Sequence, residues 1–158
     1  MKRWSLTASA FALMVFLLAG CCGQSGFGPV QKGKTYFAFG GGLKPAHPQR
    51  IVSMNIRSDE ILLALVSPER IVALSRNADD DGISNITETA KQITLRITLN
   101  PVQIIYMKPD LVLATESQPR ELVQTLRDAG IAVHVHRTPH TLLEAQRVIY
   151  ETADAVGE

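Results

Sequence analysis

Between Asn100 and Ala114 the chain reads Asn-Pro-Val-Gln-Ile-Ile-Tyr-Met-Lys-Pro-Asp-Leu-Val-Leu-Ala, a short helix and a strand with a hard stop between them. Pro101 suits the first turn of a helix, where its missing N–H would have no partner anyway. Val102, Ile105 and Tyr106 recur at helical spacing, which gives Tyr106 a packing role, and Lys108 sits where a cation suits the C-terminal end. Pro109 cannot continue the helix and biases Lys108 towards extended geometry. Leu111-Val112-Leu113-Ala114 is then an unbroken apolar run, the mark of a strand covered on both faces. Cover on both faces means helices above and below a parallel sheet, so this stretch alone fixes an α/β class.

The rest of the chain repeats the alternation. Ile51-Val52-Ser53-Met54 predicts a first buried strand, and Ser58 caps a helix with Asp59 and Glu60 in its first turn and Ile61, Leu62, Leu65 and Val66 as its buried stripe. Ser67-Pro68 stops that helix, and Ile71-Val72-Ala73-Leu74 is the second strand. Asp79-Asp80-Asp81-Gly82 reads as a solvated turn, lacking the spacing and distal glutamate of a calcium loop. Ser84 or Asn85 opens a short helix towards Ile93. After the central helix–strand unit, Ser117-Gln118-Pro119 opens a helix striped by Leu122, Val123 and Leu126, and Gly130 ends it in a left-handed cap. Ile131 to His136 is the fourth strand. Thr141 and Glu144 form a capping box for a last helix that places Leu142, Ala145, Ile149, Ala153 and Val156 on one side. Short connections between strands and helices predict parallel β/α layering.

The N-terminus has a different purpose. Lys2 and Arg3 precede an apolar run from Phe11 to Leu18 that is too short for a membrane span of about 20 residues, as in an export signal. Leu18-Ala19-Gly20-Cys21 resembles the lipobox of bacterial lipoproteins, which implies lipidation of Cys21 and an exported, membrane-tethered product facing the periplasm or cell exterior. Residues 1–20 are then a signal peptide, and residues 21–49 are the lipidated cysteine, a Gly-rich tether and a short edge strand at Thr35–Phe39. Residues 50–158 form the lobe. Cys21 and Cys22 are the only cysteines, so the body has no disulfide framework and no cysteine zinc site. A net charge of +1 with 20% charged residues leaves no basic stripe, which excludes nucleic acid as a partner.

Four segments in register resemble one family. They are Gln49–Met54 with Asp59–Leu65, Glu69–Ser75, Lys108–Ala114, and Leu126–Val135 around Ala129-Gly130-Ile131. In this order they are similar to the N-terminal lobe of helical-backbone (class III) periplasmic substrate-binding proteins of ABC importers. The resemblance implies a chelatase-like, parallel-sheet β/α sandwich lobe ending in the start of a long connecting helix, and a truncated chain without the second lobe. It further implies capture of a ferric siderophore, haem or cobalamin for delivery to an ABC permease, with no cofactor and no enzymatic step. Family members dock on the permease through an acidic residue two positions beyond the asparagine that here is Asn100. This chain has Val102 there, and Glu88 is the alternative carboxylate.

Ligands of open parallel sheets bind beyond the carboxyl ends of the strands. Those ends carry Asn55 and Arg57, then Arg76 and Asn77, then Glu116, then Arg137. Three guanidiniums on one rim suit an anionic ligand through bidentate bonds, unless they serve as structural partners of Glu60 and Glu116. His136 or His140 could add a ligating imidazole, while His134 packs under a helix; Tyr106 is the residue type that could stack on a macrocycle. Two other functions compete. A flavodoxin-like enzyme needs a phosphate loop after the first strand, but Met54-Asn55-Ile56-Arg57-Ser58 contains no glycine. A lone lobe that binds nothing well is the other.

Overall fold

The computed structural model describes residues 36–39 and 42–158. Cys21, the signal peptide and the tether lie outside the described residues. A small antiparallel hairpin comes first, β1 (Tyr36–Phe39) paired with β2 (Gly42–Pro45), so the expected edge strand pairs with its own neighbour in sequence. Then follow β3 (Ile51–Ser53), α1 (Ile56–Leu65), β4 (Ile71–Ser75), α2 (Thr87–Ala90), β5 (Arg96–Ile97) and α3 (Pro101–Tyr106). The chain continues through β6 (Leu111–Thr115), α4 (Arg120–Asp128), β7 (Val133–His136) and α5 (Leu142–Val156). A five-stranded sheet in the order β5-β4-β3-β6-β7 is parallel throughout. The fold is α/β, as the alternation predicts.

The two faces of the sheet are apolar for the reason the sequence gives. Along β6, Leu111 and Leu113 point to one side and Val112 and Ala114 to the other, and all four are fully buried. The first side meets Leu62 of α1, Val66 just after it, and Ala155 and Val156 of α5; the second meets Ile104 of α3 and Leu122, Val123 and Leu126 of α4. Each buried Leu, Ile or Val side chain among them contributes about 1.5–3 kcal/mol. β6 pairs in register with β3, Ile51 against Leu111 and Ser53 against Leu113. The Asp110 carboxylate fixes that register, accepting from the Gln49 and Arg50 N–H groups at 2.8 and 2.9 Å.

Local readings fare unevenly. Gly130 has φ +80° and Thr141–Glu144 forms the full capping box, both as expected. The cap of α1 is Asn55 and not Ser58: its Oδ1 accepts the Ser58 N–H at 3.0 Å, so the helix begins three residues earlier and buries Ser58. Lys108 is not extended. It has φ +50°, a left-handed residue closing α3, and the Arg50 guanidinium holds the turn by donating to the carbonyls of Met107 at 2.6 Å and Lys108 at 3.0 Å. On α3, Ile104 is the buried residue, while Val102 and Tyr106 are 71% and 86% exposed, so Tyr106 does not pack. α2 starts at Thr87 without a side-chain cap, and the short edge strand β5 has no counterpart in the sequence reading.

The last helix meets the sheet only partly on the expected side, with Val156 of that stripe buried and Ala145 and Ala153 half-buried. Val148, Thr152, Ala155 and Val156 are buried, whereas Leu142 and Ile149 are exposed. Thr152 tolerates burial because its hydroxyl donates to the Val148 carbonyl at 2.7 Å. α5 closes at Val156 instead of running through Glu158, since Gly157 adopts φ +80° and the Glu158 N–H returns to the Ala153 carbonyl at 2.9 Å. Arg70 locks this end by donating to the carbonyls of Val156 and Pro48 and pairing with Glu158. Among the described residues no helix is long and apolar enough to cross a membrane.

Candidate functional site

All four connections that leave the carboxyl ends of β3, β4, β6 and β7 lie on one edge of the sheet, because the strands are parallel. Asn55 and Arg57 follow β3 at the start of α1, both half-buried. Arg76, exposed, and Asn77, half-buried, sit in the single 3-10 turn Arg76–Asp79 after β4. Glu116 and Arg137 are exposed just beyond β6 and β7. The strand order spreads these residues. From β4 to β7 are three strand intervals, or roughly 14 Å at about 4.8 Å each, so the three arginines leave the backbone at well-separated points along the rim.

The structure gathers two of the expected residues at one end. Glu116 and Arg137 line a cavity of about 570 Å³ between the end of β7 and the first half of α5, with His136, Thr138, Arg147 and Glu151. Glu116 accepts the Thr138 N–H at 3.1 Å, and its own N–H donates to the His136 carbonyl at 3.1 Å, so the connections after β6 and β7 move as one piece. Arg147 and Glu151 are one turn apart on α5 and are not reached by sequence reasoning. Nothing in their spacing reveals which side of the helix faces the rim. Arg76 and Asn77 lie at the far end, beyond β3. Glu60 and Glu116 do not pair with the arginines as structural partners: Glu60 accepts from Asn85 at 3.0 Å. Among the described residues, no ion pair involves Arg57, Arg76 or Arg137.

His136 is the electrostatically unusual residue of this rim. It is 1% exposed, neither ring nitrogen has a hydrogen-bond partner among the described residues, and its ring centroid lies 5.9 Å from that of His134. Burial, then the neighbouring His134, then the positive charge of Arg57 push its pKa down to about 4. The imidazole is therefore neutral near pH 7. His140, expected as a possible ligand, lies on the cavity wall; its N–H donates to Glu144 at 2.7 Å, and that bond holds the Glu144 carboxyl below its ordinary range. No group of three or more potential metal-ligating side chains is placed to hold a metal among the described residues. Of the three aspartates, Asp79 is not merely solvated: it takes two bonds from Arg96, at 2.8 and 2.5 Å, and that guanidinium holds its carboxyl below the usual range. Glu88, the alternative docking carboxylate, is tied to Lys91 at 2.6 Å on an exposed face.

Neither a family model nor a curated protein sequence matches the chain. Solved structures do. A periplasmic haem-binding protein from Pseudomonas aeruginosa superposes with a TM-score of 0.56 at 21% identity, over 70% of this chain and 39% of that one. A possible iron-binding, periplasmic solute-binding protein from Staphylococcus epidermidis gives a TM-score of 0.55 at 27% identity, over 70% and 41%. The periplasmic haem-binding protein RhuT from Roseiflexus, in its apo form, gives 0.57 at 25% identity, over 69% and 41%. The described chain thus has the fold of a class III periplasmic solute-binding lobe. It spans about two-fifths of the length of the proteins it matches.

Proposed function

We propose that this chain is the substrate-binding component of an ABC importer that captures haem or a ferric siderophore, with cobalamin as the third ligand class. The observation that carries this reading is the row of Arg57, Arg76 and Arg137 on one sheet edge, none of them in an ion pair among the described residues. Guanidiniums left open at the carboxyl ends of parallel strands favour a wide anionic ligand, as carboxylate-bearing chelates are. The likeness to haem-binding and iron-binding solute receptors supports the same class.

In this reading Cys21 carries the lipid anchor and the lobe is presented at the membrane surface. Asn55, Asn77 and Glu116 supply neutral and accepting groups along the rim. Capture involves no covalent step. The test is titration of the full-length protein with haemin, a ferric hydroxamate and cobalamin, followed by absorbance and melting temperature. A saturable change with one ligand, weakened about tenfold by Arg57→Gln with Arg76→Gln, supports the reading. Flat spectra and unchanged melting with all three reject it.

A further inference from the structure

The turn that carries Arg76 and Asn77 is held from beneath by a carboxylate that solvent does not reach. Asp59, in the first turns of α1, is fully buried. Its two oxygens accept the Ser75 N–H at 3.2 and 3.3 Å, and Oδ2 also accepts the Ser75 hydroxyl at 2.5 Å. Ser75 is the last residue of β4 and the one directly before Arg76. The far end of the same turn is also tied: Asp79 is gripped by Arg96, which further donates to the Ala90 carbonyl at 3.0 Å. Between the two ties Ala78 is buried in the core, leaving Arg76 exposed and Asn77 half-buried.

A buried carboxylate is an expensive way to join a helix to a strand. Removing it from water costs several kcal/mol that only multiple hydrogen bonds offset, and an aliphatic residue would pack without that cost. What the aliphatic residue cannot do is fix the direction of the chain as it leaves β4. Burial pushes the Asp59 carboxyl up, while bonds from Ser53 and Ser75 and the charge of Arg96 pull it down. Asn55 and Ser58 lock α1 against the same corner, with Asn55 Nδ2 donating to Ser58 Oγ at 2.9 Å. The corner is fully bonded on the α1 side, so the turn on the β4 side inherits its rigidity.

We propose that Asp59, acting through Ser75, is a positioning residue for ligand capture: it sets the place of Arg76 and Asn77 on the rim before ligand arrives. This rests on the ligand-binding reading above. Preorganised contacts avoid the ordering cost that a loose turn would charge against affinity.

The test uses the full chain in two measurements. Amide hydrogen exchange of the ligand-free protein compares wild type with Asp59→Asn and Ser75→Ala. Exchange at residues 75–79 should quicken about tenfold in both variants while β6 and β7 keep their protection. Ser75→Thr, which retains the hydroxyl, should stay near wild type. Haemin and ferric hydroxamate titrations should then show weaker binding in the two loosened variants. Unchanged exchange at residues 75–79, or exchange that quickens evenly over the whole lobe, overturns the proposal. Quickening confined to that turn in the variants, together with a wild-type protein that binds neither ligand, keeps the latch and refutes the binding function instead. Should Asp59→Asn fail to fold, Ser75→Ala alone carries the comparison.

Discussion

Acid should destabilise this lobe through His136. The imidazole has an ordinary pKa of 6.5 once unfolded and about 4 in the folded chain. Between those values the unfolded state binds more protons than the folded state, so stability rises with pH across the window. The contribution of His136 is fully present above pH 6.5 and is lost as pH falls towards 4. A full unit is worth about 1.36 kcal/mol, which makes the whole effect roughly 3 kcal/mol and the loss at pH 5 about 2 kcal/mol. Against a total stability of about 5–15 kcal/mol that is a large share. Asp59, whose carboxyl burial pushes up, titrates in the opposite sense, so the measurement must isolate the histidine. His136→Leu does so, since both ring nitrogens are buried and, among the described residues, the replacement breaks no side-chain hydrogen bond. Urea unfolding of both proteins at pH 7, 6 and 5 should show the variant gaining on wild type by about 2 kcal/mol over that range. Parallel stability curves would refute the reasoning, because they would mean that His136 titrates alike in both states.

Other substitutions test the packing directly. Gly157→Ala places a Cβ 2.2 Å from the Ala46 carbonyl oxygen in a residue with φ +80°, and thermal melting should show a loss of about 2 kcal/mol or more. Asn55→Ala removes the cap bond to the Ser58 N–H and should cost about 1 kcal/mol in urea unfolding, with amide exchange quickening first at residues 56–59. Ile104→Ala should cost about 3 kcal/mol, whereas Val102→Ala, on the same helix but exposed, should change stability by less than about 0.5 kcal/mol. Equal losses at the two positions would mean that α3 is turned the other way.

The strands were legible because their apolar runs are buried on both faces, as Leu111–Ala114 is, and such a run has few other homes. Helix faces were harder. α3 has only six residues, so Val102, Ile105 and Tyr106 make as good a stripe as the one centred on Ile104, and only the placement of the α3 start by Asn100 decides between them. α5 carries apolar residues around much of its circumference, Leu142, Leu143, Ile149 and Tyr150 exposed and Val148, Ala155 and Val156 buried, and periodicity cannot say which arc meets this sheet. β5 escaped notice because a two-residue strand containing Arg96 has no pattern to find. For the site, the residue types after each strand were readable, yet their separation was not. Strand order alone puts Arg76 two places from Glu116 and three from Arg137, and strand order is not written in local sequence. The cavity needed α5 as its second wall.

The Asp110 contact has a kinetic consequence. It joins residues 60 and 61 positions apart, the carboxylate accepting from two backbone N–H groups just before β3. Closing so long a loop costs entropy before any strand pairing repays it, and chains dominated by distant contacts fold slowly. α1 and α4 are assembled from near neighbours and can form first; β3 and β6 must wait, with their apolar faces open to solvent. Weakening this carboxylate should therefore slow folding more than it lowers final stability, and should lengthen the time in which two bare strands can meet the wrong partner.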